Sequence, residues 1–212
     1  LFPASLLVFL VVSASSCGIE SYQYLYPPNY LSSLSFKNNS GNEGSIYFEG
    51  YEVVYKLYKL EDQSPTDSML EAYGNSQLTD SVLNQIFFGD TVNGYRRLFK
   101  DGAYDQKPLI EIDPSDSSSI VLNVEYCKIL FNDIDYCSFV RYIKDSESNY
   151  EERDFSDSSY AAGDEDLPSD IESGDTIIAA FYAVSYGCTD DRITHIFSEP
   201  TYIGFYKATN IP

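Results

Sequence analysis

Residues 46–60 read Ile-Tyr-Phe-Glu-Gly-Tyr-Glu-Val-Val-Tyr-Lys-Leu-Tyr-Lys-Leu. Tyr51, Val53, Tyr55 and Leu57 fall on every second position, between Glu52, Val54, Lys56 and Tyr58. A two-residue period puts successive side chains on opposite sides of an extended chain. The stretch therefore predicts a β-strand with one apolar face turned to a core and one mixed face. Far downstream, Thr176–Tyr186 is apolar on both faces, the pattern of a strand covered on two sides and central in its sheet. These two stretches predict a mainly-β, antiparallel fold.

Working outward, further strand patterns occupy Leu31–Phe36, Tyr95–Phe99, Leu109–Ile112, Ile120–Phe131, Ser138–Ile143, Arg192–Phe197 and Thr201–Tyr206. Asn38–Glu43 is a turn cluster. Short helices are expected near residues 65–73 and 80–88. Ser64-Pro65-Thr66-Asp67 supplies an N-cap and a first-turn proline, and Gly74 a stop. Leu78, Val82, Leu83, Ile86 and Phe87 then follow helical spacing up to Gly89. Residues 145–175 hold twelve acids against one base, Arg153, and read as a solvated excursion. Replacing residues 145–163 by a short linker is accordingly expected to change stability little.

The chain of 212 residues carries 33 acidic and 13 basic side chains, a formal charge of −20. That balance argues against nucleic acid, whose binding rests on Lys and Arg neutralising phosphates. Docking flat on anionic lipid is disfavoured in the same way. Any membrane attachment is then left to the N-terminus. Leu6–Val12 is apolar but far shorter than the roughly 20 residues a span requires, and Ser13-Ala14-Ser15-Ser16 follows it. Residues 1–16 are expected to be a signal peptide. The small residues running into Cys17-Gly18 resemble the lipobox of bacterial lipoproteins, in a relaxed form similar to that of spirochaetes. The resemblance implies that Cys17 is acylated and becomes the N-terminus, placing the domain on the bacterial cell envelope. Ordinary cleavage, with Cys17 in a disulfide, is the alternative. Residues 17–30 then form a tether, and residues 31–212 a single domain.

Phe48-Glu49-Gly50-Tyr51-Glu52-Val53 resembles the third strand of a fibronectin type III domain. Leu167-Pro168 through Gly174, then Tyr182-Ala183-Val184, then Ser198-Glu199-Pro200, resembles the end of that domain. The resemblance implies an immunoglobulin/fibronectin III-like antiparallel sandwich, with residues 61–166 as a long insertion carrying the two short helices. The chain departs from the family in having no Trp. Taken with the lipobox, the whole resembles treponemal lipoproteins of this size, a group that brings no activity or functional residue to carry over.

No stretch forms a complete catalytic motif, and no metal or cofactor is expected. His195 is the sole histidine and lies among alternating apolar residues without a nucleophile motif nearby, which favours a structural or surface role. Beyond Cys17 the cysteines are Cys127, Cys137 and Cys188, and no pair has CxxC spacing. Cys127 and Cys137 flank the turn-like Asn132–Asp135, so they can face each other across a hairpin as a disulfide; three buried thiols are the alternative. The clusters Asp113–Asp116, Asn132–Asp135 and Asp164–Asp166 offer oxygen ligands but match no calcium loop. The 20 Tyr suit a binding surface as well as a half-buried sheet. The expected function is a lipid-anchored, non-enzymatic module that binds a protein or glycan or serves as a structural envelope component. The alternative is a carboxylate-dependent hydrolase acting on a glycan.

Overall fold

The computed structural model describes residues 23–60, 65–144, 147, 149–161, 163–189 and 194–208. The predicted signal peptide, Cys17 and the proposed cap Ser64 lie outside the described residues. The fold is mainly β, and its described strands pair antiparallel throughout.

One sheet is built around β3 (Phe48–Lys59) and β11 (Ile177–Cys188), which pair along their length with Tyr55 opposite Phe181. The free edge of β11 takes β12 (His195–Phe197) and then β13 (Thr201–Ala208) end to end. The free edge of β3 takes β6 (Ile110–Glu111) and β4 (Tyr95–Arg97) in the same way. The second sheet runs β1 (Asn29–Ser32), β2 (Ser35–Lys37), β7 (Ser119–Asn123), β8 (Lys128–Phe131), β9 (Ile134–Lys144), β10 (Tyr150–Arg153), and β5 (Phe99–Lys100) also pairs with β9.

The alternation in β3 does what its period demands. Tyr51, Val53, Tyr55 and Leu57 point into the space between the sheets, against Phe36, Ile120, Ile129 and Phe139 of the second sheet. The opposite faces of β3 and β11 bring up Val54, Ala180, Tyr182, Val184 and Tyr186. These are covered by α1 (Asp67–Gln77) and α2 (Asp80–Phe87), through Leu70, Leu83, Ile86 and Phe87. A helical layer on one sheet of a sandwich explains why β11 is apolar on both faces: it is buried on both.

Several boundaries differ from expectation. The stretch 120–131 breaks into β7 and β8, because Cys127 takes a positive φ of 50° and turns the chain. Helix α1 is capped by Thr66, whose side chain accepts from the Met69 N–H, and it runs through Gly74 instead of stopping there. A Cβ at Gly74 would overlap the Tyr182 ring, so this glycine serves close packing. Residues 61–166 are no insertion hung on a finished sandwich, since they supply β4 to β10 and with them most of the second sheet. Part of the stretch expected to be a tether, residues 17–30, belongs to the folded domain. Leu25 is buried in the core, and the backbone of Tyr26 is fastened by Asn42, with N–H to Oδ1 at 2.8 Å and Nδ2–H to O at 2.9 Å.

The largest correction concerns the acidic stretch. Phe155 and Tyr160 are buried in the inter-sheet core, Phe155 lying 5.4 Å from the Tyr55 ring and 5.2 Å from the Phe181 ring. Asp166 is fully buried, accepting from Arg141 Nη1 at 2.9 Å and from the Tyr55 hydroxyl at 2.7 Å. Arg141 further donates to the carbonyls of Asp154 and Ser159, both at 2.8 Å. The segment is an arm that plugs one end of the sandwich. Its many acids hid two aromatic anchors and a fully buried carboxylate, Asp166, paired with Arg141.

Candidate functional site

The polar groups that packing alone does not explain gather under α2, where β11 ends and β12 begins. Cys188 sits directly opposite His195 in the ladder, and Tyr186 shares its face two residues back. The Tyr186 hydroxyl lies 2.9 Å from His195 Nδ1 and 3.3 Å from Cys188 Sγ, and the thiol is 3.5 Å from the same ring nitrogen. The last turn of α2 roofs the trio: Phe87 stacks on Tyr186 at 5.5 Å and Phe88 meets His195 edge-on at 5.6 Å. Burial, then the positive charges of Lys107 and Arg97, lower the imidazole's proton affinity. The imidazole Nδ1 is closer to the phenol than to the sulfur. The trio is a hydrogen-bonded array that closes the end of the sheet.

On β3 beneath it lies Glu52, fully buried, with no hydrogen-bond partner for either carboxylate oxygen. Its nearest cation is Arg97 Nη2 at 3.6 Å. Burial pushes the carboxyl up to about 7 against the opposing pull of Arg97 and Lys107. Arg97 is itself buried between Phe87 and Phe99, 5.2 and 4.8 Å from their rings, and donates to the Gln106 carbonyl at 3.0 Å. Lys107 donates to the Phe87 carbonyl at 2.8 Å, its own affinity for a proton reduced by burial and by Arg97.

Two clefts flank α2. The larger, about 950 Å³, lies at its N-terminal end, between the entering chain and β12. Tyr24, Asp80, Asn84, His195, Phe197 and Glu199 are among its lining residues. The smaller, about 410 Å³, lies at the C-terminal end and is lined by Phe88, Arg97, Phe99, Lys107, Tyr142 and Tyr150, among others. One cleft is edged by carboxylates and amides, the other by cations and rings.

The residues singled out from sequence are not brought together. Cys17 lies outside the described residues. Cys127 and Cys137 are free thiols, which corrects the expected disulfide. The hairpin exists, but its register sets Cys137 opposite Ile129, while the Cys127 carbonyl accepts from Phe139 N–H. The two cysteines are therefore diagonal neighbours, a relation that separates Cα atoms by about 7–8 Å, beyond the usual reach of a disulfide. Burial raises both thiols to about 11.

Each acidic cluster serves the fold. Asp113 accepts from Ser115 N–H at 2.8 Å, Asn132 and Asp133 turn the β8–β9 hairpin with positive φ, and Asp135 pairs with Lys128. Glu165 pairs with Arg96 and Asp166 with Arg141. No group of three His, Cys, Asp or Glu among the described residues is placed to hold a metal ion. Glu52, Arg97 and Lys107 escaped the sequence reading. One signal pointed to the first: the second apolar face of β11 already required a cover over the sheet, which buries Glu52 on the neighbouring strand.

The chain matches no protein-family model, and no curated protein or solved structure matches it either.

Proposed function

We propose that this protein is a lipid-anchored, non-enzymatic binding module of the bacterial cell envelope, held by an acyl group on Cys17, and that it takes a neutral glycan in the larger cleft. The observation behind this reading is the lining of that cleft. Amide and carboxylate side chains of Asn84, Asp80 and Glu199 stand around a partly exposed tyrosine, Tyr24. Sugars are held by hydrogen-bonding groups of this kind beside an aromatic surface that carries their C–H faces. The acids favour an uncharged ligand. Among the described residues no helix is long and apolar enough to cross a membrane.

The test is calorimetric titration of the full chain with N-acetylglucosamine oligomers and soluble peptidoglycan fragments. Tyr24→Ala and Asn84→Ala are expected to weaken binding about tenfold or more, the effect of one lost ring contact or hydrogen bond in a small-ligand site. Wild-type protein that binds neither probe would overturn the glycan assignment. Asp80 and Glu199 share this cleft, so the hydrolase reading is checked on the same samples. Release of new reducing ends, lost in Asp80→Asn or Glu199→Gln, would replace a binding module with an enzyme.

A further inference from the structure

We infer that the smaller cleft, at the C-terminal end of α2, is a second and separate binding site for a carboxylate carried on a six-membered ring. The argument starts from charge. Lys59 pairs with Asp175, Arg96 with Glu165 and Arg153 with Glu151. Arg97 and Lys107 line one cleft together, and each donates to a backbone carbonyl. Among the described residues Arg97 has one carboxylate in ion-pair reach, Glu52 at 3.6 Å, and Lys107 has none. Backbone carbonyls and aromatic rings hold both instead, Lys107 lying 5.7 Å over Phe87 and 5.6 Å over Phe88. Their charges are set side by side at one cleft while the buried carboxyl beneath is raised to about 7. Near neutral pH Arg97 and Lys107 thus face a carboxyl beneath them that is only partly ionised, with Asp90 and Asp105 farther out at the exposed rim.

The walls supply the rest of the chemistry. Tyr104 stacks on Tyr142 at 4.1 Å, Tyr142 stacks on Tyr150 at 5.4 Å, and Phe99 meets both Tyr104 and Tyr142 edge-on. These rings come from β5, β9, β10 and the loop after β5, so four chain segments converge on one aromatic surface. Phe88, 72% exposed, forms a bare apolar rim opposite. A volume of about 410 Å³ accepts one or two ring-sized units. Asp90 and Asp105, exposed at the rim, disfavour a bulky polyanion and leave room for a single carboxylate.

Proton linkage gives the site a signature. Around Glu52 stand Arg97 and Lys107, Tyr186 and Cys188 on β11, His195 on β12, and Glu49 and Asp105 farther out. As pH rises through about 7 Glu52 ionises and competes with the ligand for the two cations. Affinity is therefore higher at pH 6 than at pH 8. Glu52→Gln binds at both pH values as wild type binds at pH 6. A pH dependence that survived this substitution would overturn the linkage to Glu52.

The experiment titrates the full chain with benzoate and glucuronate, which distinguish an aromatic from a sugar ring, and with inorganic phosphate and glucose as anion-only and ring-only probes. Saturable binding of one ring carboxylate at pH 6 is expected, at least about tenfold tighter than phosphate or glucose. It should weaken about tenfold in Lys107→Met and in Phe88→Ser, both at the accessible side of the cleft. Binding of N-acetylglucosamine oligomers in the larger cleft stays intact in these two variants, so the two assignments fail separately. Equal weak binding of phosphate and both carboxylates, or unchanged binding in Lys107→Met, would overturn the inference.

Discussion

At the scale of the residue, Glu52 shows how a single side chain acquires a property that its neighbours in sequence do not announce. It occupies an outward position of β3, where alternation alone suggests a polar, solvated face. Helix α2 and Arg97 cover that face, and the carboxyl is fully buried with Arg97 Nη2, 3.6 Å away, as its nearest cation. Between its ordinary value of 4.5 and about 7, the folded protein retains a proton on Glu52 that the unfolded chain has released. Stability must then fall as pH rises through that window, by up to about 3 kcal/mol at 1.36 kcal/mol per unit. Glu52→Gln removes this dependence. In urea unfolding the substitution is expected to stabilise the protein at pH 8 and to change it little at pH 5. A stability difference between the two proteins that is the same at both pH values would show that Glu52 ionises normally.

At the scale of the element, the strands with a clear period were legible and the segments with a hidden anchor were not. β3 and α2 appear in the sequence because their apolar residues repeat at two or about three and a half positions, β11 because it is a nearly unbroken apolar run, and α1 through its cap and first-turn residues. The acidic arm has no repeat. Phe155 and Tyr160 are isolated among charges, and only the folded arrangement aligns them with Tyr55, Phe181 and the buried pair Arg141–Asp166. Arg141 itself offered a clue, since it alternates with Phe139 and Ile143 on the inward face of β9 and so had to find an acid there. Phe155→Ala is expected to destabilise by about 3–5 kcal/mol, and a Gly/Ser replacement of residues 145–163 by more. Thermal melting at the wild-type temperature in the replaced variant would restore the view of this arm as solvated surface. Gly74 gives a second test at this scale. In an exposed helix Gly→Ala stabilises by about 1 kcal/mol, but here the added methyl meets the Tyr182 ring, whose hydroxyl donates to the Leu70 carbonyl at 2.8 Å. Gly74→Ala is expected to destabilise by about 1–3 kcal/mol, with Tyr182→Leu relieving part of the loss.

At the scale of the whole molecule, the sequence reveals class and charge better than site. Mainly-β architecture follows from the strands; the candidate clefts arise from elements far apart in the chain, such as Tyr24 with Asn84 and Glu199, or Arg97 with Tyr142. No local motif encodes such meetings. The proposed lipid anchor is the opposite case, a reading of a local motif that the described domain does not contain. Its physical consequence is global. With a charge of −20 the protein is repelled from anionic lipid surfaces, so an acyl group is the one source of stable attachment that the sequence offers. Each buried CH₂ contributes about 0.8 kcal/mol, and two or more chains hold a protein firmly. Expressed in a bacterial host, the wild type is expected to incorporate labelled fatty acid and to partition into the detergent phase. Cys17→Ala is expected to do neither, and to melt at the same temperature once purified, because the first core residue among those described is Leu25. Equal labelling of the two proteins, or an unlabelled wild type that stays aqueous, would end the lipoprotein reading.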